Sequence, residues 1–192
     1  MAKAPATPTH VNDLLARIRG VHALWQRGVA DLTPAHVNHV ERAGILPIAF
    51  TLVHYVRGED NNAVELLGAG EHLWDRHAAR IRFTGIDPRR GTPIAEAENV
   101  RIGDMDAWRA YQSEVFERTE GLLANADDAR LDAVMFEGGR PGSLEGGFLG
   151  AYVTEGPIRT RNALEAWIFQ HGSRHLGELE HARSLVGLGG LS

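Results

Sequence analysis

The 192-residue chain has no cysteine, and Lys3 is its only lysine. The first absence excludes disulfides, thiolate metal ligands and a cysteine nucleophile. The second leaves no lysine in the folded body for Schiff-base chemistry. No segment reaches the roughly 18 consecutive apolar residues of a membrane span. A net charge of -5 without any basic run gives nucleic acid nothing to bind. Met1 to Thr9 lacks the apolar run of a secretory signal. Together these point to a cytoplasmic protein that binds neither membrane nor nucleic acid. With 43% hydrophobic residues, the chain suffices for one well-buried core. The expected organisation is therefore a disordered tail over 1–10 and a single domain over 11–192.

Helical periodicity dominates what is present. From Asn12 to Leu32, Leu14, Ile18, Val21, Trp25 and Val29 recur at three- and four-residue intervals, the stripe of an amphipathic helix. Asn12 or Asp13 can cap its start. Thr33-Pro34 ends it and opens a short helical turn, with Thr as cap and Pro in the first turn. A second helix is expected from Pro47 to Leu67, apolar nearly all round at its start and hence buried on most sides. After Gly68 and Gly70 the pattern weakens, and Thr84–Pro93 reads as a loop. Asp104 caps a third long helix whose stripe includes Met105, Trp108, Gln112, Val115 and Thr119; it ends near Asn125. An acidic turn or short helical extension follows. Between Gly138 and Gly156 seven glycines predict a long irregular loop or a small hairpin before the last helix.

That last helix carries the chemistry. At about 100° per residue, His171 and His175 point within about 40° of each other, on a face shared with Leu164, Ile168, Ala182, Val186 and Glu178. A pair of imidazoles on an inward stripe needs partners, and His-x-x-x-His spacing suits a metal. His54, the only ionisable residue of the second helix before Arg57, is the natural third ligand, with Gly58 one turn on leaving room beside it. Glu178 is expected to support the site without being a ligand, and Gly177 to allow close packing. Among the remaining histidines, His36 and His39 in a polar connector read as solvated; His72 and His77, among arginines, read as exposed, with a basic mouth that attracts an anionic substrate as the alternative. Glu178-Leu179-Glu180-His181 matches half of a di-iron carboxylate site, but the chain holds no second Glu-x-x-His.

These elements suggest an all-α four-helix bundle with a metal in its core. His54 on helix two, the Ala-Asp-Asp-Ala turn after helix three, and His171-Gly172-Ser173-Arg174-His175-Leu176-Gly177-Glu178 resemble the DinB/YfiT-like metalloprotein family over about Val11 to Leu188. The resemblance implies an open three-histidine site for a divalent metal, with His54, His171 and His175 as ligands, and a homodimer. It also implies activity on a small-molecule substrate, as in the thiol-dependent S-transferases and isomerases among characterised relatives. Zinc, nickel and ferrous iron all accept imidazole. Without cysteine or lysine in the body, the nucleophile must come from outside, and a low-molecular-weight thiol is the best candidate. Arg57, Arg159 or Arg161 could bind its carboxylates. Metal-dependent hydrolysis with Glu178 as the catalytic base, and metal binding without turnover in a stress response, are the alternatives.

Overall fold

The computed structural model describes residues 10–137, 148–153 and 155–191. Most of the tail expected over 1–10 therefore lies outside the described residues, but His10 already belongs to the first helix. The molecule is mostly helical. Four long helical segments form its frame: α1 (His10–Val29), α3 (Ile48–Leu67), α6 (Met105–Ala124), and a last run made of α9 (Thr160–Leu164), a π-helical turn (Glu165–Gln170) and α10 (His171–Leu185). Around the frame α1 packs on α6, α6 on α3, α3 on α10 and α10 on α1, closing a ring. The striped faces meet inside it. Trp25, Leu52, Tyr55, Trp108, Val115 and Phe116 are each almost wholly buried.

Sequence chemistry explains the boundaries. Thr33 accepts from the His36 amide and caps α2 (Pro34–Val37), while the His36 ring accepts from the Thr33 amide in return. Asp104 accepts from the amides of Asp106 and Ala107 and starts α6. Gly68, at φ +71°, ends α3 in the left-handed conformation that lets the Gly68 and Ala69 amides reach back to Val64 and Ala63. The short helices α4 (Trp74–Ile81) and α5 (Ile94–Ala97) flank the loop expected at Thr84–Pro93. The acidic turn after α6 is helix α7 (Asp128–Asp132), capped by Asp127.

Two short strands flank the glycine-rich segment expected between Gly138 and Gly156. Strand β1 (Val134–Phe136) pairs antiparallel with β2 (Ile158–Arg159), and α8 (Phe148–Tyr152) lies between them. Residues 138–147, which hold most of the glycines, lie outside the described residues. No helix among the described residues is long and apolar enough to cross a membrane.

Candidate metal centre

Two neighbouring members of the ring bring the three expected histidines together. His54 projects from the middle of α3; His171 and His175 open α10. Nε2 of His171 lies 3.2 Å from Nε2 of His54 and 2.9 Å from Nε2 of His175. The ring planes are nearly perpendicular in pairs, at 82°, 82° and 81°, as three imidazoles are when each aims one nitrogen at a common point. With metal–nitrogen distances of about 2.0–2.1 Å, neighbouring ligand atoms lie roughly 2.8–3.4 Å apart between octahedral and tetrahedral angles. The cluster can hold a metal ion.

The outer nitrogens point to the same use. Nδ1 of His54 faces the Pro88 carbonyl at 3.4 Å, and Nδ1 of His175 faces Oε2 of Glu178 at 2.6 Å. The His171 ring has the Trp167 carbonyl. All three partners are acceptors, so each ring carries its proton on the outer side and turns a lone pair inward. The rings are also kept neutral, the ligating form. Burial lowers the pKa of His54 and of His175, in the latter against the pull of Glu178. Burial, helped by His175, His54 and Arg174, takes His171 down to about 3.

The π-helical turn makes the His171 contact available. The His171 amide donates to the carbonyl of Ala166, five residues back. This releases Trp167, whose carbonyl would be its α-helical partner, to side chains; Asn62 also reaches it at 3.5 Å. Periodicity at 3.6 residues per turn contains no sign of such a turn. One residue on, Gly172 lies against Tyr55: a Cβ there would stand 2.6 Å from the Tyr55 hydroxyl. The close approach expected at Gly177 occurs here instead, since a Cβ at Gly177 meets nothing.

Other expectations shift as well. Glu178 is at the edge of the inward stripe, its side chain 47% exposed and shared between His175 and Arg174. Its carboxyl is held below the usual range: burial pushes it up, but His175 and Arg174 outweigh that. The buried line of α10 is Gly172, His175, Leu179 and Arg183, with Ala182 and Val186 only half-buried. His77 is buried, bonded to Glu114 at 2.8 Å and tilted against Tyr111. Its signal was the spacing Trp74, His77, Ile81, an inward stripe. His36 and His39 have separate partners, Thr33 and Glu41.

A cleft of about 1320 Å³ opens over the cluster, walled by Arg57, Asn61, Asn62, Trp74, Trp167 and Arg174 among others. Gly58 lines it with open space at its Cβ, as expected. Of the three arginines expected to meet substrate, only Arg57 lines this cleft. Arg159 bonds the Asp132 carbonyl and Arg161 pairs with the Asp132 carboxylate.

No family model matches the chain, and no curated protein matches it. Among solved structures, one described as the conserved protein of locus from Enterococcus faecalis aligns over 94% of this chain and 99% of that chain. Its TM-score is 0.72 at 15% identity. At that identity the likeness is one of fold. Fold and site together define a helical protein with a three-histidine cluster at the floor of a cleft.

Proposed function

We propose that the protein is a divalent-metal-dependent enzyme of the DinB/YfiT-like type that joins a low-molecular-weight thiol to a small electrophilic substrate. The observation that carries the metal reading is the convergence of three inward Nε2 lone pairs, each set by an acceptor on the far side of its ring. A zinc, nickel or ferrous ion held by His54, His171 and His175 would supply Lewis acidity to a thiol or water in its open position. The chain's own residues do the rest. Glu178 orients His175, the walls of the cleft exclude bulk water from one side, and Arg57, Asn61 and Asn62 offer donors to a polar substrate.

The absence of cysteine and of lysine beyond Lys3 supports an external nucleophile. Its sulfur would form the new bond to carbon as the bond from that carbon to the leaving group breaks, the electron pair going with the leaving group and the thiol proton passing to it or to solvent. A hydrolase is the second reading, favoured by the half-exposed position of Glu178 on the cleft wall. Its lowered pKa makes it a weak base at neutral pH. Homodimer formation belongs to the same proposal. Metal-loaded protein should consume mycothiol, bacillithiol or glutathione with a panel of electrophiles, and His54→Ala should abolish this. Metal-dependent hydrolysis of a simple ester or amide, with no thiol consumed, would favour the second reading.

A further inference from the structure

Two of the three outer acceptors are local: Trp167 and Glu178 lie within one turn of the rings they serve, on the same helical run. The third is not. The Pro88 carbonyl that faces Nδ1 of His54 comes from a loop 34 residues further along the chain, so something must hold that loop against α3. We propose that Arg57 and Asp87 are positioning residues of the histidine cluster: their ion pair seats the Pro88 carbonyl against Nδ1 of His54 and so leaves Nε2 as the unprotonated atom. The proposal rests on the metal reading only for its consequence on affinity.

The contacts form a chain from helix to ligand. Arg57 stands one turn beyond His54 on α3. Its guanidinium lies 4.8 Å from the centre of the Trp74 ring and pairs with Oδ1 of Asp87. Arg89 takes the other oxygen, with Nε at 3.0 Å and Nη2 at 2.9 Å, so Asp87 is bracketed. Both members of the Arg57–Asp87 pair are about three-quarters buried, at 23% and 27% exposure. The next residue, Pro88, is buried.

The rest of the loop limits its freedom. At its root, Thr84 and Arg101 exchange backbone hydrogen bonds at 3.1 and 2.9 Å. Gly85, at φ +106°, sits where a Cβ would meet the Asn99 carbonyl at 2.8 Å. At its tip, the Thr92 hydroxyl bonds the Arg89 amide and carbonyl. Asp87 is thus the one carboxylate through which this braced loop is tied to the helix that carries His54. A carbonyl can only accept, so the nitrogen facing it must be the protonated one.

Asp87→Ala and Arg57→Gln remove the tie from either side; Asp87→Asn is the milder variant should Asp87→Ala fail to fold. In zinc-free protein, long-range nitrogen–proton NMR well above the ordinary imidazole pKa of about 6.5 should show His54 as the Nδ1-H tautomer. In the variants it should become a mixture. Zinc affinity, measured by competition with a chromophoric chelator, should fall about 10-fold or more. The double variant should fall no further than either single one, because both act through one contact. Glu65→Gln, on the same cleft wall, should change neither readout. An unchanged His54 tautomer together with zinc affinity within about twofold of the parent would overturn the proposal. If the parent protein binds no zinc, the metal reading fails, while the tautomer measurement still decides the role of Arg57 and Asp87.

Discussion

Nε2 of His171 stands 3.2 Å from Nε2 of His54, although 117 residues separate them in the chain. Each ring directs its N–H at an acceptor behind it, so two lone pairs confront each other across a gap that one cation would bridge. Packing α3 against α10 creates this confrontation, which is unfavourable in the absence of a positive charge. Such a cost at the floor of a cleft marks a place where the sequence serves something other than stability.

A different imidazole governs stability above neutrality. His22 is sealed between α1, α3 and α6, its ring stacked 3.9 Å from that of Phe116. Nδ1 is 2.8 Å from Glu120, and Nε2 is 3.0 Å from Glu59. Burial opposes its charge, but the two carboxylates more than offset this, and its pKa is raised above 6.5. A raised folded-state pKa means stability that is fully present below the unfolded value and lost as pH rises through the folded one. Urea midpoints measured upward from about pH 6.5 should fall for the parent protein relative to His22→Gln. A difference that stays flat or grows would show that His22 is neutral in the fold.

Two glycines of α10 should respond in opposite ways to alanine. Gly172→Ala places a methyl group 2.6 to 2.9 Å from three atoms of the Tyr55 phenol and should cost about 1–3 kcal/mol. Gly177→Ala meets nothing and should gain about 0.5–1 kcal/mol through helix propensity. Thermal unfolding of the two variants side by side checks the sign of each.

Asp60 ties α3 to its neighbours. It is fully buried and accepts from the Leu73 amide at 3.2 Å, the Trp74 amide at 2.9 Å and the Tyr111 hydroxyl at 3.1 Å; Arg118 pairs with it as well. Asp60→Ala takes the carboxylate from Arg118, which keeps backbone carbonyls of Glu71 and residue 60, and leaves the Tyr111 hydroxyl and two amides without an acceptor; it should cost about 3–5 kcal/mol. A loss below about 1 kcal/mol, the scale of an exposed ion pair, would mean that water replaces the carboxylate there.

The legible parts of the fold were those encoded in local spacing. The stripes of α1, α3 and α6, the caps at Thr33 and Asp104, and the His-x-x-x-His pair with His54 opposite could all be read because period and residue type coincide. Glu59 and Asp60 escaped notice for the opposite reason. In Arg57-Gly58-Glu59-Asp60-Asn61-Asn62 they look like the solvated end of an apolar helix, and their burial depends on His22 and Arg118 arriving from other helices. Arg183 is similar: its partner Asp31 is 152 residues away. The π-helical turn and the Pro88 carbonyl are backbone features, which side-chain spacing does not announce.

Calorimetric titration of zinc into metal-free protein tests the central claim most directly. One site per chain is predicted for the parent protein and for Glu178→Gln, whose carboxylate supports His175 without joining the three converging nitrogens. His54→Ala, His171→Ala and His175→Ala should each abolish that site while the chain remains folded by circular dichroism. Absence of zinc binding by the parent protein, or binding that survives all three histidine substitutions, would contradict the account.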